Sequence, residues 1–141
     1  MNVKKVLSGI NEAFIKNGAS SINAEDVKKV MDNAEEIKET VIKSPPLQRF
    51  FKDVKLLISM VKDYWSGVYR PIPWWVITVI VFALLYVIKP KVRIPDYIPI
   101  IGMFDDALVI AICLILIEKD LLKYKEWKEL QFKTEEQLAE V

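Results

Sequence analysis

The chain has 141 residues, of which 52% are hydrophobic, with a formal net charge of +1, one cysteine and no histidine. The near-neutral charge provides no basic surface for nucleic acid, and a lone cysteine without histidine excludes an internal disulfide, the usual zinc sites and histidine general bases. Charged residues lie mainly toward the two ends of the chain. Residues 73–117 carry only three basic and three acidic side chains.

The N-terminal segment, residues 1–66, is predicted to form amphipathic helices. A first apolar stripe at helical spacing ends near Asn17 and Gly18, which predict a stop that uses a positive φ. The stripe consists of Val3, Val6, Leu7, Ile10 and Phe14. We expect this N-terminus to stay in the cytoplasm, because it lacks the apolar core of a secretory signal.

Two further stripes follow in the same segment. Asn23 is a predicted N-cap, with Glu25 and Asp26 in the first turn, for one helix that ends at Pro45. Its stripe consists of Val27, Val30, Met31, Ala34, Ile37 and Val41. The next stripe consists of Leu47, Phe50, Phe51, Val54, Leu57, Ile58, Val61 and Trp65. Gly67 and Pro71 are predicted to end that helix.

Two strongly apolar runs enclose an acidic segment. The first run, Trp74–Ile88, is apolar on every face, which is typical of a helix in lipid or at the centre of a large core. Residues 89–106, called the elbow below, contain three prolines and one glycine and cannot form a long regular helix. The second run, Ala107–Ile117, continues into a charged segment that predicts an amphipathic extension and a frayed acidic tail.

The first run is short for a membrane span, since fifteen residues cover roughly 22 Å of a hydrocarbon layer of roughly 30 Å. Two ionised aspartates at mid-membrane would cost roughly 5–7 kcal/mol, whereas the eight large aliphatic residues from Leu108 to Ile117 recover roughly 4 kcal/mol. The elbow acids must therefore be capped, paired, protonated or at a surface.

We expect an all-α membrane protein with a two-helix apolar hairpin, about residues 72–89 and 103–122, joined by the elbow. The predicted divisions are an N-terminal region (1–66), a hairpin domain (70–122) and a charged C-terminal extension and tail (123–141). The distribution of lysine and arginine predicts an integral protein of the cell membrane with both termini in the cytoplasm. The alternative is a soluble helical bundle in which the first run is the buried central helix.

The motifs around the elbow resemble those of the YkvA-like family, small bacterial membrane proteins with a domain of unknown function. The resemblance covers roughly residues 70–117 and begins with the sequence Pro73-Trp74-Trp75. Residues at the family spacing in the elbow are Pro90, Ile94, Pro95, Asp96, Ile98, Pro99, Gly102, Asp105 and Asp106. Lys89 replaces a family serine, and Val92 replaces the first family aspartate. The resemblance implies membrane association and a common hairpin, and it implies no activity.

The elbow is the candidate functional segment. Its acids could bind a hard cation, or they could cap the second helix, where orphan N–H groups and the helix dipole favour an anion. Its basic residues could contact anionic lipid headgroups, or they could pair with the acids. The candidate residues are Lys89, Lys91, Arg93, Pro95, Asp96, Pro99, Gly102, Asp105 and Asp106.

We expect a non-catalytic membrane protein that acts as an interaction or structural component. Its expected partners are membrane lipid and either a protein or a second copy that binds the amphipathic helices. The sequence predicts no cofactor, metal site, catalytic residue or small-molecule substrate, since it contains no nucleophile and base pair and no phosphate-binding loop. The alternative function is binding or translocation of a cation or proton through the acidic elbow.

Overall fold

The computed structural model describes residues 15–88 and 106–139, and every regular element in these two ranges is helical. The all-α class is therefore confirmed. Residues 15–19 are helical and are followed by a series of elements in chain order. These are α1 (Ala24–Asp32), α2 (Ala34–Lys43), a 3-10 turn (Gln48–Phe50), α3 (Phe51–Ser66), α4 (Trp74–Ile88), α5 (Asp106–Leu116) and α6 (Glu118–Ala139).

Helix α4 is the centre of the fold. Every residue from Val76 to Ile88 is buried. Helices α1, α2, α3 and α5 all contact α4. A helix that is apolar on every face must be covered on every face, and here other parts of the same chain take part in covering it.

Most residues of the two predicted apolar stripes in residues 24–66 are buried in the core cluster that contains α4, while lysine and glutamate side chains on the same helices are exposed. The fully buried members are Val27, Val30, Ile37, Val41, Val54, Leu57, Ile58 and Val61. These buried residues make up most of the apolar stripes of residues 24–66, so the prediction of amphipathic helices in this range is confirmed. The first predicted stripe, from Val3 to Phe14, lies outside the described residues.

The single helix predicted from Asn23 to Pro45 is wrong, because the chain forms two helices that meet at Asn33. The backbone N–H and the Nδ2 of Asn33 both donate to the carbonyl of Lys29, at 3.1 and 2.8 Å. Asparagine competes in this way for backbone hydrogen bonds and favours a helix end.

Two predicted helix ends are confirmed. Asn23 caps α1 by accepting a bond from the Asp26 N–H at 3.1 Å, and the Asp26 carboxylate accepts from the Asn23 N–H at 3.0 Å. Gly67 follows α3 with a φ of 85° and donates to the Tyr64 carbonyl. Glycine is favoured there because this conformation brings the Cβ of other residues into a clash.

The helix ends at Ala19, close to the stop predicted near Asn17 and Gly18, but Gly18 does not have the positive φ on which that prediction relied. After the last helical residue, the Ser20 hydroxyl donates a hydrogen bond to the Asn17 carbonyl at 2.7 Å. Gly18 is required for another reason: a Cβ at this position would overlap the aromatic ring of Phe82 in α4. Close approach, rather than a left-handed conformation, is the constraint at this glycine.

The C-terminal part has the predicted helical extension beyond residue 122, but the helix predicted over residues 103–122 is interrupted and the tail that was expected to be frayed is helical to Ala139. The chain turns at Ile117, which separates α5 from α6, and α6 remains helical to Ala139. The helix persists because residues 107–141 contain no glycine or proline and are rich in leucine, lysine and glutamate. Lys89 and residues 103–105, at the edges of the predicted hairpin, lie outside the described residues.

Within the described ranges, no helix is at once long enough and apolar enough to cross a membrane.

The contact between Gly18 and Phe82 gives a test of the core. Gly18→Ala should destabilise the protein by about 1–3 kcal/mol, the usual range for overpacking, because the new methyl group meets the Phe82 ring. Adding Phe82→Leu should make the double variant less unstable than the sum of the two single variants. Urea unfolding of the four proteins measures this coupling. Strictly additive effects would contradict the predicted contact.

Candidate functional site

The structure describes one of the nine candidate elbow residues. Asp106 is the first residue of α5 and is partly exposed, so its carboxylate lies in the first turn, where the helix dipole favours an anion. The other eight lie outside the described residues: Lys89, Lys91, Arg93, Pro95, Asp96, Pro99, Gly102 and Asp105. In the described ranges, no three potential metal-ligating side chains of the His, Cys, Asp or Glu type lie together.

A polar cluster that the sequence did not predict joins α3 to α6. It consists of Ser59 and Asp63 from α3 and Tyr124 and Lys128 from α6. In each helix the two residues are four positions apart, so they lie on the same face one turn from each other. Four polar groups from distant parts of the sequence therefore meet on facing helices.

The hydrogen bonds of this cluster define where its protons lie. The Tyr124 hydroxyl donates to Asp63 Oδ2 at 2.5 Å. Since a hydroxyl has one proton, the Ser59 hydroxyl must donate in the 2.6 Å contact with Tyr124 Oη. The Lys128 ammonium donates to Ser59 Oγ at 2.5 Å and to Tyr124 Oη at 3.1 Å. It also lies 3.4 Å from Asp63 Oδ2.

The electrostatics of the cluster keep both Tyr124 and Lys128 protonated. Burial raises the pKa of Tyr124, and its hydrogen bond to Asp63 raises that pKa further. Partial burial of Lys128 lowers the pKa of its ammonium, but the hydrogen bonds and charges of Tyr124 and Asp63 outweigh burial and leave that pKa above its ordinary value. Asp63 supplies the acceptor for both groups.

Aromatic rings pack beside the polar cluster. The Tyr69 ring meets the Tyr124 ring edge-on with centroids 5.1 Å apart and lies 4.8 Å from the Trp127 ring. Tyr124 itself is fully buried. The backbone N–H of Tyr69 donates to the Asp63 carbonyl at 3.0 Å, which ties the loop after α3 to the same cluster. These ring contacts help to bury the Tyr124 ring.

Serine and lysine in contact suggest a hydrolytic dyad, in which a neutral lysine removes the serine proton. The geometry opposes that chemistry, because the Ser59 proton is directed to Tyr124 and Lys128 acts as a donor to Ser59. The raised pKa of Lys128 also keeps the amine charged, so it cannot accept a proton at neutral pH. The cluster therefore favours a structural role, holding α6 against α3.

Cys113 is not a reactive thiol in this setting. It is fully buried in α5, and burial raises its pKa to about 12. Its Sγ lies 3.9 Å from the Val79 carbonyl of α4. A buried thiol with so high a pKa contributes as a small apolar residue in the helix interface.

Sequence reasoning missed the polar cluster for an identifiable reason. The pairs Ser59 with Asp63 and Tyr124 with Lys128 each have the spacing of one helical turn, and this is the only local signal. Pairing them requires the knowledge that α6 returns to α3, across a separation of more than sixty residues. Apolar periodicity carries no information about that return.

The cluster predicts a measurable loss of stability in Tyr124→Phe. Removing a buried hydroxyl that donates to a carboxylate should lower the free energy of unfolding by about 1.5–3 kcal/mol. Tyr64→Phe is the matched control, since Tyr64 is a partly buried tyrosine of α3 outside the cluster. Chemical unfolding measures both, and equal effects of the two substitutions would contradict the assigned bond.

The same variant should alter the alkaline limit of stability. Because folding raises the pKa of Tyr124 above its ordinary 10.0, the stabilisation is complete below about pH 10 and is lost as pH rises through the raised pKa. Tyr69 and Lys128 shift in the same direction, so Tyr124→Phe should weaken this alkaline loss without abolishing it. A pH series of thermal unfolding would contradict the assignment if both proteins lost stability equally.

A fluorophosphonate probe tests the chemistry at Ser59. The wild-type protein should remain unlabelled, because Lys128 is protonated and cannot activate the serine. Labelling that disappears in Ser59→Ala but persists in the control Ser66→Ala would show that Ser59 is a nucleophile and would contradict the structural role.

Comparisons with known proteins match the region around α4 and α5. Residues 76–112 match the model of a family described as a protein of unknown function (DUF1232). The chain is also 27% identical over 90 residues to the uncharacterized membrane protein YkvA of Bacillus subtilis, a match that covers 64% of this chain and 85% of that protein. No solved structure matches the chain.

The family match begins at the first buried residue of α4 and ends within α5, so it coincides with the most apolar part of the fold. It includes the elbow, whose motifs resembled this family in the sequence. These matches and the elbow motifs support the similarity of residues 70–117 to the YkvA-like family, which carries this domain of unknown function.

Proposed function

We propose that the protein is a non-catalytic, membrane-associated helical bundle that binds a bilayer by its surface and keeps α4 as its own core. The membrane association is supported by the name of the relative from Bacillus subtilis, which is called a membrane protein. The mode of association rests on one observation, the burial of every residue from Val76 to Ile88. A helix covered by neighbouring helices has no free face for lipid.

The energetics favour keeping α4 inside the bundle. Moving α4 into lipid would uncover the eight fully buried stripe residues of α1, α2 and α3. Each large aliphatic side chain loses roughly 1.5–3 kcal/mol when it passes from a core to water. The total for eight residues is about 12–24 kcal/mol, as large as the whole stability of a small domain at about 5–15 kcal/mol. Lipid would surround the apolar surface of α4, but the apolar stripes of α1, α2 and α3 would then be exposed to water unless they repacked on one another.

The same packing changes the expectation of a protein partner. The stripes of residues 24–66 are covered within the chain, so they need no second molecule to remove them from water. A protein or second copy would have to bind another surface. Membrane lipid remains the partner that the relative's name supports.

The absence of a catalytic role is part of the proposal and is supported by the state of the polar cluster. Ser59, Tyr124 and Lys128 are all held as hydrogen-bond donors, and Asp63 accepts from Tyr124 and Lys128. None of these four groups is placed to take a proton from a substrate.

Membrane fractionation tests both the location and its mode. The full chain should sediment with membranes at low salt and be released by a high-salt wash or by a subsequent alkaline wash, since a surface contact depends partly on charge. Retention through both washes would contradict surface binding and support the integral hairpin over residues 72–89 and 103–122. Failure to sediment with membranes at low salt would contradict membrane association itself.

A further inference from the structure

One surface of the bundle exposes large apolar side chains around the loop that joins α3 to α4. Trp65 is 37% exposed, Val68 60%, Trp74 43% and Trp75 47%. These four residues are called the aromatic face below. Exposed tryptophan is costly in water but favourable at the headgroup level of a bilayer, where the ring meets both apolar and polar surroundings.

One ring contact joins the end of α3 to the start of α4. The ring of Tyr64 lies 6.4 Å from the ring of Trp74. Trp75 lines a groove of about 350 Å³ whose other lining residues include Ala19, Thr78 and Val79. The start of α4 therefore lies next to the end of α3 through Trp74 and next to residues 15–20 through Trp75.

Three exposed cations border this surface. Lys28 Nζ lies 6.0 Å from the centre of the Trp65 ring, and the Arg70 guanidinium lies 5.2 Å from the centre of the Tyr64 ring. Lys16 lines the same groove as Trp75. Lys28 also shares a groove with Glu25 and Asp32, so Lys16 and Arg70 are the clearer sources of positive charge.

The loop is held in a defined conformation. Gly67 closes α3 in the left-handed region, and the Tyr69 N–H donates to the Asp63 carbonyl. Tyr69 and Ile72 are buried and anchor the loop, while Pro71 and Pro73 restrict its backbone. The tryptophans are thus positioned before any ligand arrives, which reduces the entropy lost on binding.

We propose that the aromatic face binds the headgroup region of an anionic phospholipid bilayer. This proposal rests on the membrane association proposed above and names the surface responsible. Tryptophan and tyrosine fit the interfacial layer, and the bordering cations complement the negative charge of anionic headgroups. The combination favours lipid over a protein partner, for which the exposed lysine and arginine side chains would have to be paired individually.

Trp74 and Trp75 begin α4, roughly 20 Å along the helix from its last residue, Ile88. Binding by the aromatic face and binding by the basic residues of the elbow would use different side chains. The two modes can be separated by experiment.

Fluorescence quenching by brominated lipid identifies the face that contacts the bilayer. The chain has four tryptophans, so Trp127→Phe retains the three of the aromatic face, and Trp65→Phe/Trp74→Phe/Trp75→Phe retains only Trp127. Trp127 is partly buried against Tyr69 and Tyr124 and lines a groove with Val68, so it reports the quenching of a tryptophan beside the three exposed ones. With vesicles of brominated phosphatidylcholine and phosphatidylglycerol, quenching should persist in the first variant and be largely lost in the second. The reverse result would overturn the proposal.

Charge substitutions test the lipid class independently. Each cation near an anionic surface strengthens binding roughly fivefold, so Lys16→Gln/Arg70→Gln should bind vesicles containing phosphatidylglycerol about 25-fold more weakly. Lys52→Gln/Lys55→Gln removes the same charge from exposed residues at the opposite end of α3 and should have a much smaller effect. Equal effects of the two double variants would overturn the proposed face, and circular dichroism establishes that each variant is folded.

Two outcomes distinguish a failure of the aromatic face from a failure of the proposed membrane association. If wild type binds the vesicles while the aromatic-face variants bind equally well, this face is wrong and membrane association stands. Binding that depends instead on Lys89, Lys91 and Arg93 would assign the contact to the elbow. If wild type binds neither anionic nor zwitterionic vesicles, both proposals fail.

Discussion

Helix α4 offers no polar face, and the arrangement of the other helices follows from the need to cover it. Apolar stripes on α1, α2 and α3 lie in the same core as α4, and α5 packs beside it through Cys113 and its neighbours. Gly18 allows the helical residues 15–19 to approach the Phe82 ring more closely than any residue with a Cβ could. Each segment that packs on α4 therefore presents apolar or small residues to it.

The burial of α4 also decides which surfaces remain for function. The apolar residues that suggested lipid contact in the sequence are mostly internal, whereas Trp65, Trp74 and Trp75 at the edge of the bundle stay exposed. The polar cluster of Ser59, Asp63, Tyr124 and Lys128 is internal to the α3 and α6 contact and has its protons committed to its own hydrogen bonds. Binding at a surface is then better supported than chemistry at a site.

The parts of the fold that sequence predicted are those set by local physics. Helical periodicity located the stripes, and the cap at Asn23 and the left-handed Gly67 followed from side-chain and backbone preferences. What sequence could not supply was the choice between lipid and protein as the cover for α4, since an all-round apolar helix suits both. That choice depends on contacts between helices that are distant in the chain.

Other failures have the same origin. Gly18 was expected to have a positive φ because glycine commonly does so at a helix end, whereas its role depends on Phe82, more than sixty residues away. Asn33 divides a helix whose apolar stripe runs on without interruption. Tyr124 and Lys128 gave no sign of their partners on α3. The elbow dominated the functional prediction, and of its candidate residues only Asp106 lies in the described ranges.

The packing of Gly18 against Phe82 offers the most direct measurement of whether α4 stays covered when the protein is bound to a membrane. Nuclear Overhauser effects between the Gly18 Hα protons and the Phe82 ring protons can be recorded for the protein on anionic bicelles. The buried-core account predicts strong cross-peaks between these protons and none from the Phe82 ring to lipid acyl chains. Cross-peaks from the Phe82 ring to acyl chains, without any between Gly18 and Phe82, would contradict it.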